Sequence, residues 1–346
     1  MAPAKDEAIT QLLRPIAPWL ERADVTEITI NRPGEIWIRS GREWQRHEIP
    51  ALNESRLRGL AGAIISFNCI DSKSSIVSVV LPGGERGQIV VPPACIDGTV
   101  SMSFRKHVVM AKTLDELDED GIFEKVADVS FRRPSANDAL FRMHDTGPGR
   151  LDETEYRLLQ LKGDHQFADF LRHAVLTKRN IIVAGKTGSG KTTLARSLIK
   201  EVPAIERIVT IEDVHELVLE THPNRVHMIF GAGAGRVSAE ECLKSAMRQS
   251  PDRIFLSEMR GNESWEYLLS LNTGHPGSVS TIHANGAVQA FHRIESLVLQ
   301  SPVGRTLSAE AIRDMIYRTV DIVLWMEDWK VKEIYYDPIF AKERSV

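Results

Sequence analysis

The sequence predicts an α/β protein with two domains, a mixed α+β amino-terminal domain and a carboxyl-terminal domain built on a parallel sheet. A length of 346 residues is enough for about two domains. In the second half, short apolar runs alternate with helix-like segments, the pattern of a parallel sheet covered on both faces. In the same half, the glycine-rich stretch GKTGSGKTT, Gly185 to Thr193, separates an apolar run from a helix-like segment.

Composition excludes several classes of protein. Hydrophobic residues make up 42% and charged residues 26% of the chain, which is ordinary for a globular protein. No run of about 18 apolar residues occurs, so no membrane-spanning helix is predicted. The amino terminus lacks the pattern of a signal peptide, which predicts a cytoplasmic location. Cys69, Cys95 and Cys242 lie far apart in the sequence and are predicted to be buried thiols, neither disulfide-bonded nor metal-bound.

The first half predicts an antiparallel sheet with helices. Apolar residues at helical spacing occupy residues 4–20, with breaks near Pro15 and Pro18. Residues 25–30 and 35–39 alternate as half-buried strands around a turn, and Trp44 lies on a third strand. Further predicted elements are a helix over 54–67 and strands over 75–80, 88–91 and 99–104.

The domain boundary is predicted from a change of composition. Proline, glycine, serine and asparagine interrupt any regular pattern between Ser130 and Arg150. The predicted division is therefore an amino-terminal domain over 1–130, a linker over 131–150 and a carboxyl-terminal domain over 151–346.

The carboxyl-terminal half predicts a series of strands, each separated from the next by a helix. Ligands of such sheets bind at the carboxyl ends of the strands. The predicted strands are 181–184, 207–211, 253–257 and 278–282, and the predicted helices are 152–161, 165–178, 239–248 and 263–271.

The glycine-rich stretch predicts a phosphate-binding loop, because a strand precedes it and a helix follows it. Glycines let the backbone N–H groups point at one anion, and the helix adds its positive amino-terminal end. Lys191 supplies a charge for the β- and γ-phosphates, and the Thr192 hydroxyl is a ligand for Mg²⁺. The predicted phosphate-binding residues are Gly185, Lys186, Thr187, Gly188, Ser189, Gly190, Lys191, Thr192 and Thr193.

Two glutamates end later strands of the predicted sheet. Glu212 follows the strand 207–211, and Glu258 follows the strand 253–257. A rigidly held carboxylate at such a position can hold a water of the Mg²⁺ shell or act as a general base. Glu212 is the first choice to orient the attacking water, with Glu258 as the alternative, and Glu258 is also a predicted metal ligand, directly or through water.

Histidine and arginine residues complete the candidate site. His275 and His283 bracket the strand 278–282, and His283 at the strand end is placed to sense the γ-phosphate. Arginines neutralise charge on a transferring phosphoryl group. The candidates are Arg260, just after Glu258, together with Arg86 and Arg105 in the first half.

Taken together, four ordered motifs resemble the traffic ATPases of bacterial type IV secretion, relatives of the type II secretion and type IV pilus motors. The motifs are a Walker A loop GKTGSGKT, an Asp-box TIEDVHEL over 210–217, a Walker B segment SPDRIFLSEMRG over 250–261, and a His-box TGHPGSVSTIHA over 273–284. The first half is similar too, in VTEITINRPGEIWI, GERGQIVVPPA and SMSFRK.

The resemblance implies a homohexameric ring with a RecA-like carboxyl-terminal domain that hydrolyses ATP with Mg²⁺. Nucleotide would lie between the two domains of a subunit, with Arg86 and Arg105 reaching the phosphates and Arg260 making a contact across the ring. The implied function is a motor for pilus biogenesis and substrate translocation in conjugation or effector export. The implied partners are other ATPases and inner-membrane proteins of the secretion machinery, at the cytoplasmic face of the inner membrane.

Two other functions remain as alternatives. The first is a RecA-type nucleic-acid translocase or helicase, and the second is a scaffold whose assembly is gated by nucleotide. A net charge of −4 and the lack of a basic stripe with interleaved aromatic residues argue against direct nucleic-acid binding.

Overall fold

A computed structural model of the protein describes residues 3–41, 43–70, 74–106, 112–132, 151–231 and 237–344. The chain divides into two compact units. The described residues between 3 and 106 belong to the amino-terminal unit. The described residues 112–132, 151–231 and 237–344 belong to the carboxyl-terminal unit. Among these described residues, no helix has the length and apolar character needed to cross a membrane.

The described part of the amino-terminal unit has a six-stranded sheet in the order β3-β2-β1-β6-β5-β4. Every neighbouring pair in it is antiparallel, as the sequence predicts. Its elements are α1 (Pro3–Leu13), α2 (Ala17–Leu20), β1 (Val25–Ile30), β2 (Glu35–Ser40), β3 (Glu43–Glu48), α3 (Glu54–Phe67), β4 (Ile76–Val80), β5 (Arg86–Val90) and β6 (Ser101–Arg105).

Helix α3 shows how local sequence sets these elements. The side chain of Asn53 accepts a hydrogen bond from the amide of Arg56, which caps the first turn. Leu57, Leu60 and Ile64 recur at helical spacing and are fully buried in the core of the unit. The predicted helix 54–67 is confirmed, and so is the break between α1 and α2 near the two prolines.

The carboxyl-terminal unit alternates helices and strands along most of its length. Its elements are α4 (Leu114–Glu119), β7 (Ala127–Asp128), α5 (Glu153–Gly163), α6 (Phe167–Leu176), β8 (Ile181–Gly185), α7 (Lys191–Lys200), β9 (Ile208–Glu212), β10 (Arg225–Ile229), α8 (Ala239–Ala246), β11 (Arg253–Leu256), α9 (Glu263–Asn272), β12 (Val279–Ile282), α10 (Ala287–Val298), α11 (Ala309–Thr319), β13 (Ile322–Glu327), β14 (Lys330–Tyr336) and α12 (Pro338–Glu343).

The strands of this unit form two sheets within the described residues, one ordered β12-β8-β13-β14-β7 and one ordered β10-β9-β11. A parallel bridge between Met259 and Ile282 joins them. Every residue of β8, β9, β11 and β12 is buried, which explains why these strands are apolar runs in the sequence. The prediction of a parallel sheet is wrong at one place, because β13 and β14 form an antiparallel hairpin with a two-residue turn.

The division between units differs from the predicted one. Strand β7 pairs in parallel with β14, so the residues around Ala127 complete the sheet of the carboxyl-terminal unit. The buried Lys162 ammonium lies 2.9 Å from Asp128 Oδ2 and donates to the Tyr336 carbonyl at 2.9 Å. Residues 112–132 therefore pack with the carboxyl-terminal unit, and residues 133–150 of the predicted linker lie outside the described residues.

The cysteine prediction is confirmed in part. All three cysteines are free thiols, and Cys242 is buried in α8. Cys69 is exposed and Cys95 is half-buried, so the prediction that all are buried is wrong for these two. Cys69 follows α3 with a φ of 54°, in a turn that leaves its side chain at the surface.

Candidate active site

The glycine-rich loop joins β8 to α7 in a conformation that depends on glycine. Gly185 has a φ of 154° and Gly190 a φ of 96°. A Cβ atom on Gly185 would lie 2.4 Å from the Met326 carbonyl oxygen, and one on Gly190 would lie 3.0 Å from a ring carbon of Trp329. The backbone can follow this path only where no side chain is present.

Lys191 is the first residue of α7, and its side chain folds back onto the loop. Its ammonium donates to the carbonyl of Gly185 at 2.9 Å and to that of Lys186 at 2.8 Å, and the residue is only 8% exposed. The positive end of α7 and this buried charge thus meet at the loop. Thr192 and Thr193 follow, half-buried, in the first turn of the helix.

The residues in the middle of the loop are exposed to solvent, whereas those at its end are buried. Lys186, Thr187 and Gly188 are exposed, whereas Ser189 is buried. The Ser189 hydroxyl has no hydrogen-bond partner among the described residues. An oxyanion bound in the loop could accept a hydrogen bond from this buried hydroxyl.

The β13–β14 hairpin forms one wall of the loop, and sequence reasoning did not find it. Glu327 lies 3.2 Å from the Lys186 ammonium, and the Met326 carbonyl packs against Gly185. The turn residues Asp328 and Trp329 both have positive φ values, without the glycine or asparagine that usually marks such a hairpin. In the sequence, the apolar run of β13 is the feature that could have indicated this hairpin.

Glu258 lies at the centre of a line of polar contacts that starts at the loop. His283 donates through Nδ1 to the Gly185 carbonyl at 3.2 Å, and its Nε2 lies 2.9 Å from Glu258 Oε1, which accepts no hydrogen bond among the described residues. Arg260 donates to Glu258 Oε2 at 2.7 Å and also to Asp213. Glu258, His283 and Arg260 were all predicted, and the fold brings them together.

Burial and charge set the ionisation of this line. Burial and the neighbouring Lys191 charge lower the pKa of His283. Burial opposes the charge of Arg260, but its hydrogen bond to Glu258 and the charge of Asp213 raise the pKa of the guanidinium overall. The Arg260 guanidinium is therefore a permanent cation beside Glu258, and the pKa of His283 lies below its ordinary value.

Glu212 ends β9, as predicted, but its carboxylate belongs to a second cluster. Oε2 accepts hydrogen bonds from the backbone amides of Glu216 at 2.6 Å and Leu217 at 2.7 Å. Oε1 accepts from the Thr210 hydroxyl at 2.7 Å and faces His227. Burial favours the neutral acid, but hydrogen bonds from His227, the Leu217 amide and Thr210 lower its pKa to about 2.

The remaining predicted residues are placed as follows. Arg86 on β5 and Arg105 on β6 are direct partners in the antiparallel register of the amino-terminal unit. Side chains of such partners share one face of a sheet. His275 bonds the Pro251 carbonyl through Nδ1 at 3.0 Å, a contact that connects two loops.

The residues at the loop fit a nucleotide with Mg²⁺. The glycine cradle, the Ser189 hydroxyl and Lys191 are suited to phosphate oxygens. The Thr192 hydroxyl and the Glu258 carboxylate are oxygen donors, which Mg²⁺ prefers. Asp213 follows Glu212 in the chain, and only the fold reveals its contact with Arg260.

Comparisons with known proteins agree with this geometry. Residues 136–325 match the family described as Type II/IV secretion system protein. Type IV secretion system protein VirB11 of Bartonella quintana is 40% identical over 343 residues, covering 96% of this chain and 94% of the relative. Type IV secretion system protein PtlH of Bordetella pertussis is 39% identical over 333 residues, covering 94% and 92%.

Solved structures give the same result at the level of the fold. The crystal structure of the VirB11 ATPase from the Brucella suis type IV secretion system, in complex with sulphate, superposes with a TM-score of 0.54 at 36% identity. It covers 98% of this chain and 100% of that one. The pilus retraction motor PilT with bound ADP has a TM-score of 0.58 at 18% identity, covering 96% and 86%, which is a likeness of fold. The chain therefore belongs to the Type II/IV secretion system protein family, as a traffic ATPase of the VirB11 type.

Proposed function

We propose that this protein is a Mg²⁺-dependent ATPase that powers type IV secretion as a homohexameric ring. The observation that carries the proposal is the buried Lys191 ammonium in its glycine cradle, with Glu258 connected to the same loop through His283. Phosphoryl transfer needs mainly positioning and charge stabilisation, and both are supplied by these groups.

In the proposed mechanism, the loop amides and Lys191 hold the β- and γ-phosphates. Lys191 exchanges its bonds to the Gly185 and Lys186 carbonyls for phosphate oxygens. Thr192 and Glu258 would hold Mg²⁺, the latter directly or through water, and the ion would supply positive charge against the phosphates.

We assign the attacking water to Glu258 in preference to Glu212. Among the described residues no group donates a hydrogen bond to Glu258 Oε1, although His283 Nε2 lies 2.9 Å away, whereas both oxygens of Glu212 accept bonds from neighbouring donors. Arg260 orients the Glu258 carboxylate and ties it to Asp213, while His283 Nε2 lies 2.9 Å from Glu258 Oε1. Glu212 in this scheme holds the segment that carries Asp213.

The amino-terminal unit is proposed to add Arg86 and Arg105 to the nucleotide. The two residues are direct cross-strand partners on β5 and β6, so their side chains lie on one face of the sheet, where two cations can bind the same phosphate groups. Replacing either by glutamine should raise the KM for ATP, whereas Arg58→Gln on α3, where the arginine pairs with Glu54, should leave it unchanged.

Several features of the proposal concern assembly and place. The proposed assembly is a homohexamer with a contact of Arg260 across the ring, at the cytoplasmic face of the inner membrane. The proposed partners are other ATPases and inner-membrane proteins of the secretion machinery, and similarity to type IV secretion system proteins VirB11 and PtlH supports a place in that machinery. Particle mass with and without nucleotide tests the ring. A strictly monomeric and inactive protein would overturn it.

The decisive experiment on activity is Lys191→Ala with Lys200→Ala as its control. The Lys191 side chain contacts the carbonyls of the loop, whereas Lys200 is exposed at the far end of the same helix. Lys191→Ala should abolish ATP turnover and Lys200→Ala should retain it. Undiminished turnover in Lys191→Ala would contradict the proposal.

The comparisons favour secretion over a nucleic-acid translocase. A translocase predicts that DNA stimulates hydrolysis and that binding weakens steeply with salt. We expect neither effect. A nucleotide-gated scaffold predicts instead that export continues in a variant that binds but does not hydrolyse ATP, such as Glu258→Gln.

A further inference from the structure

A cluster of three metal-ligating side chains lies beside the proposed active site. Glu212 at the end of β9, His215 in the following segment and His227 on β10 each point one ligand atom at the same place. The Nδ1 atoms of His215 and His227 lie 3.2 Å and 3.4 Å from Glu212 Oε1. All three ligand atoms lie within 4.8 Å of one another.

The backbone brings these residues together. His227 is the parallel register partner of Thr210, and Glu212 lies two residues after Thr210 on the same strand face. The chain then turns, so that the amides of Glu216 and Leu217 bind Glu212 Oε2. This anchoring leaves Oε1 directed at the two histidines, with the carboxylate orientation set before any ligand arrives.

The ligand types and separations match zinc. In a tetrahedral site with metal–ligand bonds of about 2.1 Å, neighbouring ligand atoms lie about 3.4 Å apart. The two measured separations from Glu212 Oε1 are close to that value. Two imidazole nitrogens and one carboxylate oxygen form an established zinc ligand set that leaves a fourth position for water.

We propose that Glu212, His215 and His227 bind a zinc ion. The side chain of His215 is 47% exposed, which gives the ion a path from solvent and leaves room for a water ligand. The Thr210 hydroxyl, 2.7 Å from Oε1, is the outer hydrogen-bond donor that orients this ligand.

The site has a direct connection to the ATPase machinery. Asp213 follows Glu212 in the chain and bonds Arg260, which in turn bonds Glu258. A zinc ion that ties the segment after β9 to β10 would hold Asp213 in place. Zinc occupancy should therefore raise the thermal unfolding midpoint of the protein, because the ion binds only the folded arrangement.

The same atoms can also form a hydrogen-bond chain without metal. His227 Nδ1 lies 2.8 Å from the Thr210 hydroxyl, which donates to Glu212, and His215 can donate to the same carboxylate. This arrangement is the alternative that an experiment has to separate from zinc binding. It predicts no bound metal and no response of stability to zinc.

The experiment is equilibrium dialysis of the full chain against ZnCl₂ after removal of metals with EDTA, with bound zinc measured by atomic absorption. We expect one site per chain that is lost in His215→Ala and in His227→Ala, with affinity reduced at least 10- to 100-fold. His292→Ala, in which an exposed histidine of α10 is replaced, is the matched control and should retain the site. Cys69→Ser should retain it as well, which excludes zinc held by the exposed thiol.

Cobalt gives a second readout that does not depend on activity. Co²⁺ in place of zinc should produce the visible absorption bands of a tetrahedral site, and these should disappear in His215→Ala. The proposal is overturned if the full chain binds no zinc. It is equally overturned if both histidine variants bind zinc as the unmodified chain does.

Discussion

The two strand-end glutamates, Glu212 and Glu258, have different surroundings although their positions in the sequence look alike. Glu212 is fully buried, and its two oxygens accept bonds from a hydroxyl and two amides. Glu258 is bonded on one oxygen by Arg260, and its other oxygen accepts no hydrogen bond from the part of the chain that the structure describes. A carboxylate with an oxygen still to be bonded can act on water, whereas a fully bonded one holds structure.

The first prediction compares Glu258→Gln with Glu212→Gln. Glu258→Gln should lower ATP turnover by about 10²–10⁴-fold, the contribution typical of a general base, while nucleotide binding is retained. Glu212→Gln should instead destabilise the fold by about 1–3 kcal/mol, because the neutral side-chain amide of glutamine replaces the charged carboxylate that accepts hydrogen bonds from two backbone N–H groups. Steady-state kinetics, nucleotide affinity and thermal unfolding of both variants provide the test. Equal loss of turnover with unchanged stability in both would contradict this assignment.

The second prediction concerns Glu35 in the amino-terminal unit. Hydrogen bonds from Arg32 and Arg46 lower the pKa of this carboxyl from 4.5 to about 2. A lowered pKa means that the ionised group stabilises the folded state above pH 4.5, and that this contribution is lost as the pH falls toward 2. Glu35→Gln should therefore lower the unfolding midpoint at pH 7.

The pH dependence of Glu35→Gln is the sharper measurement. The difference in unfolding midpoint from the unmodified chain should be constant from pH 8 to pH 5 and should shrink below pH 4.5. Glu54→Gln, at an exposed ion pair on α3, is the control and should change little at any pH. If the difference in unfolding midpoint between Glu35→Gln and the unmodified chain grew as the pH fell, the prediction would be contradicted.

At the scale of elements, the phosphate loop depends on the hairpin that packs against it. The Met326 carbonyl of β13 fills the space beside Gly185, and the Trp329 ring of the turn approaches Gly190. The β13–β14 hairpin thereby restricts the path of the loop between β8 and α7. This contact leaves no room for a side chain at Gly185 and little room at Gly190.

The third prediction is a ranking of glycine substitutions in this loop. At Gly185 an added Cβ meets a backbone oxygen at 2.4 Å, whereas at Gly188 nothing lies within 4 Å, although its φ is also positive. Gly188→Ala should cost only the strain of the backbone conformation, about 1 kcal/mol. Gly185→Ala should cost more and should also weaken ATP binding, because β13 or the loop must move. Unfolding and nucleotide titration measure the two effects, and an equal cost at both glycines would contradict the ranking.

At the scale of the whole molecule, the boundary between the compact units lies ahead of the predicted linker. Strand β7 completes the sheet of the carboxyl-terminal unit, and Lys162 is buried against Asp128 and Ser130. Arg132 also bonds Glu343 near the end of the chain. Residues 112–132 are therefore part of the structure that carries the proposed site.

The fourth prediction compares two fragments of the chain. A fragment beginning at Lys112 should unfold at a higher temperature than one beginning at Phe131. The shorter fragment lacks the Asp128 partner of a buried ammonium, a change that typically costs about 3–5 kcal/mol. Asp128→Asn in the full chain is the matched test of the same contact and should also be destabilising. Identical midpoints for the two fragments would show that β7 contributes nothing to the unit.

Much of the fold was predictable because its strands are buried on both faces or alternate regularly. The strands β8, β9, β11 and β12 are apolar runs at the predicted places, and helix α3 has its predicted ends. The hairpin β13–β14 and strand β7 were not predicted. β7 is a two-residue strand, and the turn of the hairpin uses Asp328 and Trp329, so neither carries a local signal.

The sequence by itself determined the glycine-rich loop between a strand and a helix, the positions of the acids at strand ends and the resemblance to traffic ATPases, because these depend on local spacing. Only the tertiary structure decided which acid has an oxygen without a hydrogen bond and which is fully bonded. It also brought His215 and His227 to the same oxygen of Glu212, across 12 residues of chain. The physical reason is that hydrogen-bond partners and metal ligands are chosen by distance in space, which strand register and turns set and local sequence does not.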